Sequence, residues 1–232
     1  RELRLLELEV LRSLNKSGQG FLDVREIIWL DVDMMCGIEY EEFPARIAEV
    51  AMWLIDHQMN MQISNEFGQY FVRLPLKKTA KIIHGDALET DWENVVSKNE
   101  LSFIIGNPPF IGSKIMSQIQ REEVVKEFGN TNGSGVLDYV SAWYIKAAKY
   151  ILGKTTRVAF VSTNSIVQGE QTSILWGQML SVYGIKIHFA HRTFKWSNEA
   201  KGNAGVHVVI VGFANFDTNE KRIFEYENIK GE

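Results

Sequence analysis

Short apolar runs that close on polar residues, separated by stretches of helical periodicity, decide what this 232-residue chain can fold into. Met34-Met35-Cys36-Gly37-Ile38-Glu39 and Lys81-Ile82-Ile83-His84-Gly85-Asp86 each read as a buried strand ending on an acid. Leu101 to Ile105, Arg157 to Ser162, Ile185 to Ala190 and Val206 to Phe213 complete the set of strands. Leu3, Leu6, Val10 and Leu14 stand at helical spacing over residues 2 to 14, and Lys16-Ser17-Gly18-Gln19-Gly20 stops that helix. Pro44 opens a second helix of about four turns, with Ala45, Ile47, Ala48, Ala51, Leu54 and Ile55 as its apolar stripe. A long amphipathic helix is expected from about Leu137 to Ile151. Apolar strands alternating with helices predict an α/β fold with a doubly wound, mainly parallel sheet.

One strand ends unusually. In Phe103-Ile104-Ile105-Gly106-Asn107-Pro108-Pro109-Phe110 the apolar run meets two of the chain's four prolines directly behind an asparagine. Proline lacks an N–H and fixes φ, and the residue before it is pushed away from helical geometry, so this segment can neither extend a sheet nor begin a helix. It is a stiff turn.

Composition limits the alternatives. With 45% hydrophobic and 23% charged residues the chain is long enough for one sizeable core, and no apolar run approaches the ~20 residues that span a bilayer. The charged, helical start is unlike a targeting signal, which points to an intracellular protein. The single cysteine, Cys36, excludes an internal disulfide and reads as core. His84 and His207 lie within strands and read as structural, and no cluster has metal-ligand spacing. A net charge of −4 gives no global basic footprint, so any contact with nucleic acid must be local.

In doubly wound sheets ligands bind outside the carboxyl ends of the strands. Glu39, Asp86, Asn107 to Phe110 and Ser162-Thr163-Asn164 stand at those ends. An acid there can hold two neighbouring ribose hydroxyls, and Glu39 is placed for that; the alternative is a solvated loop residue or a helix cap. A nucleotide-binding unit normally opens with a strand and a glycine-rich turn. Gly18, Gly20 and Gly129 to Gly135 do not follow strands and read as loop glycines. The chain is therefore expected to be a fragment lacking the first strand and glycine loop, and to bind a nucleotide-like cofactor weakly or not at all in isolation.

Gly37-Ile38-Glu39, then His84-Gly85-Asp86-Ala87-Leu88, then Asn107-Pro108-Pro109-Phe110 resemble the successive motifs of amino-methyltransferases that use S-adenosylmethionine. More closely, NPPFIGSK with Met116, Gln120 and Arg121, then GVLDYVSAWYIKAAKYI, VAFVSTNSIVQGEQ and HRTFKWSNEAKGNAGVHVVIVGF resemble the methyltransferase region of MmeI-like restriction-modification enzymes. The resemblance runs from about residue 1 to 230. It implies a class I, Rossmann-like methyltransferase domain over 1–232, with a cofactor half of about 1–106 and a catalytic and target-base half of about 107–232. It implies transfer of a methyl group from S-adenosylmethionine to N6 of adenine in DNA. The partners implied are double-stranded DNA with a flipped adenine and, in the same polypeptide, nuclease and target-recognition domains in a bacterial cytoplasm, with no membrane.

The resemblance also assigns residues. Glu39 holds the cofactor's ribose, Asp86 accepts from its adenine amino group, Ile38 and Leu88 flank that ring, and Ala87 and Asn107 complete the cofactor set. Asn107, Pro108, Pro109 and Phe110 form the catalytic turn. The amino nitrogen of adenine is a poor nucleophile because its lone pair is delocalised into the ring. Two rigid acceptors, Asn107 Oδ1 and the Pro108 carbonyl, would take both N–H hydrogens and free that lone pair. The base must first leave the stack. Phe110 would cover one face of it, and Phe194 the other, with Trp196 as competitor. Asp138 and Tyr139 are candidates to line the pocket, Asp138 equally a helix cap. Lys114, Arg121, Arg192, Lys195 and Lys201 are the cations nearest these loops, for phosphates or for solvent. Two other readings stay open: methylation of protein glutamine or RNA adenine, and a non-catalytic fragment.

Overall fold

The computed structural model describes residues 1–15, 23–71, 79–129, 131–196 and 206–226. The expected stop at Lys16 to Gly20, and Lys201, lie outside them. The chain divides into two compact units, Arg1–Val95 and Val96–Glu232.

In the first unit α1 (Glu2–Asn15), α2 (Val24–Ile27), β1 (Cys36–Glu39), α3 (Glu42–Phe67) and β2 (Lys81–His84) follow one another. β1 and β2 pair in parallel, Glu39 opposite His84. Its core is Leu8, Leu11, Ile28, Ile63 and Phe71. The face of α1 that packs is thus not the expected one. Leu3, Leu6, Val10 and Leu14 are exposed, and the helix instead buries Leu8, Leu11 and Arg4. Both faces carry helical spacing, and a polar network decided between them: the Arg4 guanidinium donates to Leu30 O at 2.5 Å and to Asn60 Oδ1 at 2.6 Å.

The second helix is also longer than four turns. α3 runs for 26 residues, because no breaker interrupts it before Gly68, whose φ of 63° ends it in the left-handed region. Cys36 is exposed rather than core, and the strand it opens is half-buried instead of buried, since β1 has one neighbouring strand among the described residues. His84 and His207 are likewise exposed on their strands.

The second unit holds β3 (Phe103–Gly106), α4 (Gln118–Glu127), α5 (Ser141–Tyr150), β4 (Arg157–Thr163), α6 (Gly169–Gly177), β5 (Lys186–Trp196), β6 (Val206–Ala214) and β7 (Arg222–Phe224). These strands form one five-stranded sheet in the order β3-β4-β6-β5-β7. β3 runs parallel to β4 and β7 parallel to β5, while β6 inserts antiparallel between β4 and β5. Every strand but β6 therefore points one way. Tyr144 of α5 anchors the core. Its ring stacks on Phe213 at 5.5 Å and meets Phe160 and Trp176 edge-on at 5.3 and 5.7 Å, and its buried hydroxyl is 2.8 Å from Ser162 Oγ. Each such buried ring is worth about 1.5–3 kcal/mol of transfer free energy.

α5 begins at Ser141, not at Leu137. Residues 137 to 140 form a turn instead, because the Tyr139 N–H is drawn to Ile111 O at 2.9 Å and Asp138 is engaged on both its backbone and its side chain. Gly129 and Gly133 adopt φ of 60° and 86°, as loop glycines do.

Candidate active site

β1 and β2 end side by side, and the Gly85 N–H donates to Glu39 O at 2.9 Å across their carboxyl ends. Both acids that close these strands are half-buried. Glu39 is not the cap of α3, whose cap is Glu41 with no side-chain bond. Among the described residues its Oε1 accepts only a long hydrogen bond from Glu41 N at 3.3 Å. Asp86 closes a local turn, its Oδ1 accepting from Leu88 N at 2.7 Å, and Oδ2 has no partner among the described residues. Neither acid meets a cation among those residues. Two carboxylates with unused lone pairs fit a ligand rich in hydroxyl or amino donors. Ile38 and Ala87 are half-buried beside them, whereas Leu88 is buried at 5% exposure.

In the second unit β3 closes on Gly106, opposite Phe160, and the proline turn follows. Pro108 is buried, Asn107 and Pro109 are exposed, and Phe110 is half-buried. The Asn107 side chain forms no hydrogen bond, and Phe110 no ring contact, among the described residues. Phe194 lies further along the same sheet, half-buried on β5 opposite Val208. It belongs to an aromatic cluster, 5.2 Å from Tyr226 and 6.3 Å from Trp196, with His191 stacked on Phe224 at 4.4 Å beside them.

The residue with the most polar contacts here is Asp138, in the sequence a candidate either to line the pocket or to cap a helix. Asp138 is 6% exposed, yet it is neither a helix cap nor paired with a cation among the described residues. Oδ1 accepts from Ser113 N at 2.9 Å and from Gln171 Nε2 at 3.1 Å; Oδ2 faces Thr163 Oγ1 at 3.2 Å and Ser165 Oγ. An acid inside the apolar run Val136-Leu137-Asp138-Tyr139-Val140 was the available signal. Tyr139 is buried as well, its hydroxyl donating to Glu123 Oε2 at 2.6 Å.

The cations divide. Arg121 donates to two backbone carbonyls, Ser113 O at 2.8 Å and Gly135 O at 3.0 Å, so it fixes the loop after the proline turn. Arg192 pairs with Glu225, and Lys114 and Lys195 are exposed.

A mainly parallel α/β sheet with one antiparallel strand inserted, and polar groups gathered at its carboxyl ends, defines the class I S-adenosylmethionine-dependent methyltransferase fold. The chain belongs to the family of the MmeI DNA-methyltransferase domain, whose sequence model matches residues 1–225. DNA methyltransferase A of Bacillus subtilis (strain 168) is 37% identical over 234 residues, taking in 99% of this chain and 26% of that protein. The structure of the Type IIL restriction-modification enzyme MmeI in complex with DNA matches with a TM-score of 0.91 at 56% identity, over 100% of this chain and 31% of that one. The chain thus spans about a quarter of the first relative and under a third of the second.

Proposed function

We propose that this chain is the methyl-transferring region of a restriction-modification enzyme that acts on N6 of adenine in double-stranded DNA, with S-adenosylmethionine as cofactor. One observation carries the reading: Asn107 presents an exposed side-chain amide at the end of β3 while Pro108 behind it is buried and rigid. That is the arrangement two fixed acceptors need. Asn107 Oδ1 and the Pro108 carbonyl accept the two hydrogens of the adenine amino group and draw its lone pair out of conjugation with the ring. Pro109 stiffens the turn, and Phe110 stacks on a face of the extruded base. Phe194 covers the other face, with its neighbour Trp196 able to take its place.

When bound, S-adenosylmethionine supplies a methyl group on a sulfonium sulfur, which leaves as a neutral thioether. Glu39 holds its ribose hydroxyls, and Asp86 Oδ2, without a partner among the described residues, accepts from its adenine amino group. Ile38, with part of its surface open, lies against the adenine ring, alongside Ala87 and the buried Leu88. Nuclease and target-recognition regions belong to the same polypeptide on this reading, in a bacterial cytoplasm.

The full-length polypeptide carrying this chain, incubated with duplex DNA and methyl-labelled S-adenosylmethionine, is expected to yield label in N6-methyladenine after digestion to nucleosides. Label in cytosine, in RNA adenine alone or in protein glutamine contradicts the reading.

A further inference from the structure

We infer that Asp138 is a positioning residue, which fixes the downstream end of the Asn107–Phe110 turn so that the two amino acceptors stay aimed at the substrate. The inference rests on the methyl-transfer reading above. The turn's upstream end needs no such device: β3 is laddered to β4 as far as Gly106, opposite Phe160. Downstream there is no strand. The segment Ile111 to Ser113 is instead clipped to Asp138 and Tyr139 by two hydrogen bonds, Tyr139 N to Ile111 O and Ser113 N to Asp138 Oδ1, each 2.9 Å. Asp138 also ties this clip to the far end of β4 and to α6. Oδ2 faces the hydroxyls of Thr163 and Ser165, which are themselves 2.8 Å apart, and Gln171 grips Asp138 twice, through Oδ1 and through its backbone N–H at 3.0 Å.

A buried carboxylate without a cation is costly unless donors surround it. At Asp138 they do: the residue is 6% exposed and its two oxygens are already directed at four neighbours. Thr163, Ser165 and Oδ2 are three oxygens sharing two hydroxyl protons, so that side can re-pair if the acceptor changes. The Oδ1 side cannot, because a backbone N–H and a side-chain amide N–H can only donate.

That asymmetry defines the test. Asp138→Asn can keep a carbonyl oxygen toward Ser113 and Gln171 and turn its NH2 toward the two hydroxyls, which rotate to accept. Asp138→Ala leaves the Ser113 N–H without its acceptor and loosens the end of the turn, which then hangs on the Tyr139–Ile111 and Arg121–Ser113 bonds alone. Gln171→Glu sets a second carboxylate against Oδ1. Each variant is made in the full-length polypeptide, and four quantities are measured: the single-turnover rate of methyl transfer to duplex DNA, the Kd for S-adenosylmethionine, the Kd for DNA, and the melting temperature. Asp138→Ala is expected to lose about 10²-fold in rate, the scale of an ångström's misplacement, with both Kd values unchanged. Asp138→Asn is expected to restore most of that rate. Gln171→Glu is expected to be slow at neutral pH and to recover as acid protonates the added carboxyl. If the alanine variant does not fold, the Asn and Glu variants carry the same contrast, and equal rates for both overturn the inference. So does an alanine variant that melts early yet transfers methyl at the wild-type rate per folded molecule. A wild-type enzyme that methylates no DNA removes the functional reading itself, and this inference with it.

Discussion

A side-chain carbon added to Gly106 would stand 3.1 Å from both Cδ1 and Cε1 of Phe160, closer than rings and methyl groups normally pack. Phe160 has little room to yield. It is 2% exposed and held edge-on against Tyr144 at 5.3 Å and Phe213 at 6.0 Å. The last residue before Asn107 is therefore a glycine for a packing reason: the strand that presents the turn must run close beside a core ring.

Gly106→Ala is accordingly expected to destabilise by about 1–3 kcal/mol, the usual cost of overpacking. It should also slow methyl transfer further than the stability loss explains, since any relief moves Asn107. Chemical denaturation beside single-turnover kinetics checks this. An alanine variant with wild-type stability and rate would show that the ring has space to give.

Phe110 is half-buried and meets no other ring among the described residues, which suits a side chain with a face to offer. Phe110→Ala is expected to lower methylation of duplex DNA by an amount corresponding to about 1–3 kcal/mol of base stacking, while melting close to wild type. Phe110→Trp or Tyr should retain most of the rate. A mispaired target adenine should rescue the alanine variant in part, because a loosened base is easier to extrude. Were the side chain core, truncation would cost about 3–5 kcal/mol of stability and a mispair would rescue nothing.

Much of this was legible in the chain because it is written locally. The acids that close β1 and β2, and the stiff turn after β3, are read from consecutive residues, and β1 to β6 fell where short apolar runs stood, whereas the short edge strand β7 and the extension of β5 to Trp196 were not expected. What failed was decided at a distance. Helical spacing could not choose between the Leu3-Leu6-Val10-Leu14 face of α1 and the Leu8-Leu11 face, because the choice rests on Arg4 reaching Leu30 and Asn60. Apolar residues from Leu137 onward looked like helix, yet the tie from Tyr139 to Ile111 delays α5 by four positions, to Ser141. Asp138 gathers partners 25 residues before it and 33 after it, a span that no local pattern records.

His191 offers a pH test within the aromatic cluster. Its ring stacks on Phe224 at 4.4 Å, Nδ1 is 2.7 Å from the Tyr226 hydroxyl, and the nearby charges of Arg192 and Glu225 are paired with each other. Burial lowers its pKa from the ordinary 6.5. The unfolded chain therefore takes up a proton at a higher pH than the folded one. The stability that depends on neutral His191 is complete above 6.5 and is lost as pH falls through the lowered value. His191→Phe should flatten the dependence of melting temperature on pH between about 8 and about 5, where histidine charges. An unchanged profile would mean that the imidazole is not insulated from solvent.

If Asn107 acts on the substrate amino group and contributes little to holding the cofactor, Asn107→Ala in the full-length polypeptide separates the two roles. Calorimetry with S-adenosylmethionine and a single-turnover assay on duplex DNA are run on the same preparation. Cofactor binding should stay close to wild type while methyl transfer falls at least ~10²-fold, the scale lost when one fixed hydrogen-bonding group is removed from a reaction centre. Cofactor affinity falling in step with the rate, or transfer persisting near the wild-type rate, would contradict it.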